Sequence, residues 1–137
     1  MNPTMLNSIA IIGGLILGGV VNMGLISIGA ELVPPPAGVD ASSMEALAKA
    51  MHLFEPKHFL FPYLAHSLGT LAGAILAAKI AATHKLKIAI VIGLAFLAGG
   101  ISMVFNLPSP IWFNTLDLIG AYLPMSYLGY KLVTIND

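Results

Sequence analysis

The sequence contains neither cysteine nor arginine, and it carries little charge of either sign. Without cysteine, the chain has no disulfides, thiolate metal sites, iron–sulfur clusters or cysteine nucleophile. A formal net charge of zero and the lack of arginine argue against a nucleic-acid partner. Only 9% of its 137 residues are charged, against roughly 25% in an ordinary soluble domain. With a mean hydropathy of +0.91, the chain is predicted to have lipid as its main solvent.

Four apolar stretches are long enough to cross a bilayer, which takes a helix of about 20 residues. They lie at about 8–30, 59–82, 88–107 and 111–131, the last interrupted only by Asp117. No lysine precedes the first stretch, so we expect it to be retained as a span and not cleaved as a signal peptide. Because unpaired backbone groups are costly in lipid, each stretch is predicted to be helical. We therefore expect residues 1–137 to form one all-α domain, a four-helix transmembrane bundle.

The lysines predict which ends of these spans face the cytoplasm. One side of the bundle carries four of the six lysines, namely Lys79, Lys85, Lys87 and Lys131. The other side carries Lys49 and Lys57. Because lysine is enriched in cytoplasmic loops, the N- and C-termini are predicted inside, with the loop 31–58 and the turn 106–110 outside.

The predicted outer loop, residues 31–58, has two local signals. Three consecutive prolines at 34–36 favour an extended polyproline II segment. Ser42-x-x-Glu45 forms a capping-box pattern, and the apolar residues after it fall mostly on one helical face. The loop is therefore predicted to contain a short amphipathic helix at the outer membrane surface.

The segment Glu31-Leu-Val-Pro-Pro-Pro-Ala-Gly-Val-Asp40, followed by a short helix and then by Ala65-His66-Ser67-Leu68-Gly69, resembles a group of proteins. These are uncharacterised small bacterial four-span membrane proteins. The resemblance implies four spans and a bacterial source, and hence a location in the cytoplasmic (inner) membrane. It implies no catalytic residue, since no activity is established for the group.

Small residues recur along the predicted helices at the spacing that brings helix backbones close together. They are Gly14 and Gly18 in span one, Ala65, Gly69, Gly73 and Ala77 in span two, and Gly93 with Gly99 and Gly100 in span three. Packing within one bundle explains them, and so does association with a second copy or a larger membrane complex. Span two has the longest stripe, which predicts that it lies at the centre of the bundle or of a dimer seam. In span four, Pro124 cannot donate to the carbonyl of Gly120, which predicts a kink.

Strong hydrogen-bonding side chains are concentrated in the outer halves of the four spans. They are Asn22, Glu31, His66, Asn106, Asn114 and Asp117. Ionisable groups at membrane depth are expensive and are therefore candidates for function. If these side chains face inward, they form a pocket for a proton, a cation or a lipid-like ligand. A carboxylate of Asp117 or Glu31 beside His66 would stabilise its imidazolium form, and the three together are candidate ligands for a divalent metal.

The leading hypothesis is a non-enzymatic membrane protein, either a small accessory subunit or an oligomer, with this outer pocket. One alternative is a transporter or channel subunit, and another is a membrane-embedded enzyme with Asp117 and His66 as acid and base. A purely structural hydrogen-bond network explains the same residues. The sequence contains no phosphate-binding loop, nucleophile elbow or dinucleotide fingerprint, and it identifies no cofactor.

Overall fold

A computed structural model describes residues 1–135 and shows a helical chain without strands in that range. The helices are, in chain order, α1 (Pro3–Leu32), α2 (Met44–Ala50), α3 (Leu60–Ile80), α4 (Lys85–Asn106), α5 (Ile111–Gly120) and α6 (Leu123–Thr134). Two turns of 3-10 helix, Met51–Leu53 and Pro56–Phe59, connect α2 to α3. The predicted all-α fold class is confirmed.

Three helical segments in the described range are long and apolar enough to cross a membrane. They are α1, the segment Pro56–Ile80 that includes α3, and α4, with 30, 25 and 22 residues. These segments match the first three predicted spans. The fourth predicted span is not one helix, because it is divided into α5 and α6, of 10 and 12 residues. Each of these is shorter than the about 20 residues that a single spanning helix needs.

The division between α5 and α6 falls at Ala121 and Tyr122. The Ala121 N–H donates to the Asp117 carbonyl at 2.9 Å and completes α5. Tyr122 then adopts φ −115° and ψ −77°, far from regular helical values. Pro124 has no N–H to offer to the Gly120 carbonyl, and it occupies the first turn of α6, where proline is tolerated. The predicted kink is therefore a full interruption of the helix.

Helix α3 lies at the centre and contacts α1, α4, α5 and α6. Its contact with α1 is a backbone approach between glycines. A Cβ on Gly14 would lie 2.7 Å from the carbonyl oxygen of Gly73, and one on Gly18 would lie 2.7 Å from that of Gly69. These distances are shorter than any normal contact of a Cβ atom, so only glycine allows α1 and α3 to pack this closely. Within α3, the predicted packing residues Ala65 and Ala77 are fully buried.

Helix α4 uses two of its three predicted packing glycines for the same purpose. Gly99 is exposed, and a Cβ there would meet nothing within 4 Å. Gly93 and Gly100 face α6 instead: their Cβ atoms would collide with Ser126 and with the Tyr122 ring, respectively. Positions seven apart share one face of a helix, so these two glycines line the side of α4 that receives α6. Within residues 1–135, Gly99 therefore takes no part in packing between helices.

The loop between α1 and α3 contains the predicted short helix, but the predicted cap is displaced by one residue. Ser43, and not Ser42, is the N-cap of α2, and its side chain accepts a hydrogen bond from the Ala46 N–H at 3.1 Å. The Ser42 N–H donates instead to the Asp40 carboxylate at 2.8 Å. Hydrogen bonds from the side chain and the backbone of Ser42 lower the pKa of Asp40 below its ordinary value.

At the opposite end of the bundle, the side chain of Asn7 ties α1 to the turn between α3 and α4. Its amide donates to the Thr83 hydroxyl at 2.9 Å. Its carbonyl oxygen accepts from the N–H groups of Ala82 and Thr83 at 3.0 and 3.3 Å. The turn ends at His84, whose φ of 54° places it in the left-handed region directly before α4.

Candidate functional site

Three polar side chains from separate elements meet inside the bundle: His66 of α3, Asp117 of α5 and Tyr122 at the α5–α6 junction. His66 Nδ1 lies 2.8 Å from Asp117 Oδ1. The Tyr122 hydroxyl donates to Asp117 Oδ2 at 2.7 Å and lies 3.1 Å from His66 Nδ1. The histidine and tyrosine rings are stacked, with centroids 5.8 Å apart and an interplanar angle of 29°. We refer to these three residues as the triad.

The donors and acceptors of the triad follow from this geometry. An ionised carboxylate only accepts hydrogen bonds, so both oxygens of Asp117 need donors. The Tyr122 hydroxyl supplies one, and His66 supplies the other if the hydrogen of the neutral ring is on Nδ1. Both bonds then involve a charged acceptor, which makes them stronger than bonds between neutral groups. In this tautomer, His66 Nε2 has a free lone pair that can bind a proton.

The triad is largely shielded from its surroundings. Asp117 is 4% exposed and Tyr122 is 1% exposed, whereas the side chain of His66 keeps 19% exposure. A buried carboxylate is costly unless it is paired, and Asp117 has a donor on each oxygen. Any exchange of a proton with the surroundings is therefore expected to pass through His66.

The interruption of the helix is what brings Tyr122 to Asp117. Residues five apart on a continuous helix point about 140° away from each other around the axis. The altered backbone at Tyr122 removes this separation, and Gly100 of α4 leaves room for the tyrosine ring. On α3, the Thr70 hydroxyl donates to the His66 carbonyl at 2.7 Å, within the same face of the helix.

Of the six predicted pocket residues, three lie outside the triad at the ends of helices. Glu31 is exposed and forms no ion pair or side-chain hydrogen bond within residues 1–135. The Asn106 amide donates to the Ser102 carbonyl of its own helix at 2.7 Å. The Asn114 amide donates to the Ser109 carbonyl at 3.3 Å. The structure does not bring these three residues together with His66 and Asp117.

The candidate metal ligands are likewise not assembled. His66 and Asp117 meet, but Glu31 does not join them. No group of three or more histidine, aspartate or glutamate side chains in the described part of the chain is placed to hold a metal ion. The three-ligand site expected from residue depth is therefore not formed.

Asn22 occupies an unusual position among the predicted residues. Its Oδ1 atom is buried, and it is the one buried side-chain polar atom of residues 1–135 without a hydrogen-bond partner. Its Cβ packs against Gly69 of α3, where an added Cβ would lie 3.1 Å away. The Asn22 side chain is therefore directed toward α3.

Tyr122 is a member of the site that sequence reasoning missed. A tyrosine in the inner half of a span is usually assigned to the membrane interface, where aromatic residues are common. The available signal was the nearby Pro124, which indicates that the helix is disturbed close to Asp117. A disturbed helix can bring together side chains that a regular one separates.

Comparisons with known proteins add no functional information. No family model matches the chain, and no curated protein or solved structure matches it. The geometry of the triad is therefore the basis for assigning a function.

Proposed function

We propose that the chain is a non-enzymatic integral membrane protein that crosses the bilayer four times and binds one proton reversibly at the His66–Asp117–Tyr122 triad. The observation that carries this proposal is the pair of donors on the buried Asp117 carboxylate, at 2.8 Å and 2.7 Å. This pairing leaves the remaining ring nitrogen of His66 as the group that gains or loses a proton.

The fourth crossing consists of α5 and α6 together. Their 10 and 12 residues extend about 33 Å at 1.5 Å per residue, enough for a hydrocarbon core of about 30 Å. An interrupted helix is tolerated in a membrane when the irregular backbone is buried in protein. Ala121 and Tyr122 satisfy this condition, since they are 0% and 1% exposed. Interrupted helices are also a recurrent location for ion sites near the middle of membrane proteins.

The orientation follows from the lysines. The turn between α3 and α4 and the end of α6 carry most of the positive charge, which favours a cytoplasmic location for both termini. The loop with α2 then faces the outside. With the bacterial source implied by the Glu31–Asp40 segment, the location is the inner membrane.

The triad suits reversible protonation because its hydrogen bonds do not depend on the state of His66. In the neutral ring, Nδ1–H donates to Asp117 and Nε2 is free. When a proton binds at Nε2, the Nδ1–H bond remains, and the positive ring lies beside the negative carboxylate. Tyr122 continues to donate to the second carboxylate oxygen in both states. The net charge of the triad changes from −1 to zero without the loss of a hydrogen bond.

Proton binding can be measured directly on 15N-histidine-labelled protein in lipid nanodiscs by NMR. Over a series of decreasing pH values we expect His66 to change from a neutral ring with hydrogen on Nδ1 to the doubly protonated ring. His66→Gln identifies the resonances, and His52 and His58 in the outer loop serve as internal references. If His66 keeps one neutral tautomer over the whole range, the triad is a structural hydrogen-bond network and the proposal fails.

The four crossings can be tested separately, because the chain has no cysteine of its own. Single-cysteine variants Ala41→Cys, Thr83→Cys and Ile135→Cys report on the outer loop, the inner turn and the end of α6. A membrane-impermeant maleimide should label the first in intact cells, and the other two only after permeabilisation. Labelling of the Ile135→Cys variant in intact cells would contradict a fourth crossing. The cysteine-free parent protein is the negative control for labelling.

A further inference from the structure

The unpartnered Oδ1 of Asn22 is the starting point for a second site. A buried amide oxygen without a hydrogen bond is unfavourable by about 1–3 kcal/mol, so a donor is expected within reach of it. Within residues 1–135, no protein donor fills this role. A small molecule bound inside the bundle could therefore donate the hydrogen bond to Asn22 Oδ1.

The register of α1 against α3 places Asn22 beside the turn of α3 that contains His66. Gly14 meets Gly73 and Gly18 meets Gly69, so the two helices run antiparallel. Asn22 is one turn beyond Gly18, which puts it opposite the turn of α3 just before Gly69. His66 is three residues before Gly69 and therefore belongs to that turn.

His66, which belongs to this turn, has one ring nitrogen available. Its hydrogen bonds within the described residues involve only Nδ1, and its side chain is 19% exposed. Nε2 accepts a hydrogen bond when the ring is neutral and donates one when the ring is protonated. The Oδ1 of Asn22 can only accept. A direct bond between the two would thus exist only in the protonated state and would leave Asn22 unpaired in the other.

We propose that a water molecule binds between Asn22 Oδ1 and His66 Nε2 and is the route by which the proton reaches the triad, an inference that rests on the proposed function. When His66 is neutral, this water donates one hydrogen to Nε2 and the other to Oδ1. When His66 is protonated, the water accepts the Nε2–H bond and still donates to Oδ1. A hydronium ion at this position transfers one proton to Nε2 and remains as the water molecule. Asn22 is a positioning residue, because it orients the water and does not take up the proton.

Few titratable groups compete for this role. Those that face His66 from the elements packed against it are Asp117 of α5 and Tyr122 at the α5–α6 junction. The other titratable side chains of α1, α3, α4 and α6 are Glu31, Tyr63, Lys79, Lys85, Lys87, Tyr127, Tyr130 and Lys131. Within residues 1–135, the side-chain hydrogen bonds of His66 are those with Asp117 and Tyr122, so Nε2 is left to the water.

The test uses the full-length protein in lipid, labelled with 13C and 15N in asparagine and histidine. Solid-state NMR transfer from water protons should give cross-peaks at the Asn22 side-chain amide and at His66 Nε2. In Asn22→Leu, which has a similar volume and no acceptor, the Asn22 peak is lost and the Nε2 resonance of neutral His66 shifts toward that of a nitrogen without a hydrogen bond. Asn114→Leu removes an asparagine that bonds to the Ser109 carbonyl and should leave Nε2 unchanged.

The outcomes separate the two proposals. A wild-type spectrum without a water cross-peak at Asn22, in a protein whose His66 still titrates, overturns the water site and leaves the proton-binding triad intact. An unchanged Nε2 resonance in a folded Asn22→Leu variant overturns it as well. If His66 does not titrate at all, the proton-binding triad fails and the proton route fails with it. Should Asn22→Leu not fold, the wild-type cross-peaks decide the question by themselves.

Discussion

The glycine contact between α1 and α3 can be tested by one substitution made at two positions of the same helix. In Gly14→Ala, the new Cβ would lie 2.7 Å from the Gly73 carbonyl oxygen and 2.9 Å from both Ala77 Cβ and Ile92 Cδ1. In Gly19→Ala, the same methyl group would meet nothing within 4 Å. Because both positions lie within α1, the intrinsic helix propensity changes equally in the two variants.

The expected size of the effect follows from these distances. A carbon and a carbonyl oxygen normally approach to about 3.4 Å, so α1 must move away from α3 by roughly 0.7 Å near Gly14. A shift of this size also loosens the neighbouring contact of Gly18 with Gly69. Overpacking of a tight core typically lowers the free energy of unfolding by about 1–3 kcal/mol, and we expect Gly14→Ala to fall in this range. Gly19→Ala should change it by no more than about 0.5 kcal/mol.

Reversible unfolding in mixed micelles with increasing SDS, followed by circular dichroism, measures this difference. The decisive quantity is the gap between the two variants, since any effect of alanine on helix formation cancels. Equal stability of Gly14→Ala and Gly19→Ala would show that α1 and α3 do not approach each other through these glycines. A deficit confined to Gly14→Ala supports the observed packing.

Three further predictions concern single polar groups. Tyr122→Phe leaves one oxygen of the buried Asp117 carboxylate without its donor, so thermal unfolding should show a loss of about 1–3 kcal/mol. Ser42→Ala should raise the pKa of Asp40 toward its ordinary value in a 13C NMR titration, because the hydrogen bond from the Ser42 side chain is the largest cause of the lowering. The stabilisation that comes with a lowered carboxyl pKa is present at pH values above the ordinary pKa, and it is lost as the pH falls through the lowered pKa. Asn7→Ala removes the three hydrogen bonds that tie α1 to the α3–α4 turn and should lower the free energy of unfolding by about 1 kcal/mol.

Controls for these three experiments are available within the chain. Tyr127→Phe changes an exposed tyrosine in α6 and should leave the free energy of unfolding unaltered. An equal loss of stability in Tyr127→Phe would show that the loss in Tyr122→Phe does not come from the hydrogen bond to Asp117. An Asp40 midpoint that is the same in Ser42→Ala would contradict hydrogen bonding as the cause of the lowered pKa. Asn2→Ala, which removes only the cap at the start of α1, separates a local effect on this helix from the tie made by Asn7.

The sequence predicts the long helices well because hydropathy depends on the length of an apolar run and not on its neighbours. Helices α1, α3 and α4 lie within a few residues of the predicted spans. Hydropathy could not predict the division of the fourth predicted span, since the residues around the break between α5 and α6 are predominantly apolar. Pro124 indicates a disturbance, but a kink and a full interruption differ in backbone angles at Tyr122 that depend on packing against α4.

The site could be predicted only in part, for a related reason. Position along a helix gives the depth of a side chain, which is why His66 and Asp117 could be proposed as partners. The direction in which a side chain points depends on the rotation of its helix, and packing determines that rotation. Asn106 and Asn114 have suitable depth but bond to nearby carbonyls, while Glu31 is exposed. The tertiary contact that brings in Tyr122 has no counterpart in local sequence.

Helix α6 packs between α3 and α4, which both precede it in the chain, and this order affects how the chain assembles during synthesis. Gly129 of α6 approaches α3, where a Cβ would lie 2.9 Å from Ala74 Cβ, while Ser126 lies against Gly93 of α4. Helices emerge from the ribosome in chain order, so α1, α3 and α4 are available to pack before α5 and α6 are made. In the proposed four-crossing arrangement, His66 is then already in place when Asp117 is inserted, so this buried carboxylate meets its partner at once. We therefore expect a nascent chain that ends before Ile111 to insert stably, and insertion of the remaining segment to depend on His66.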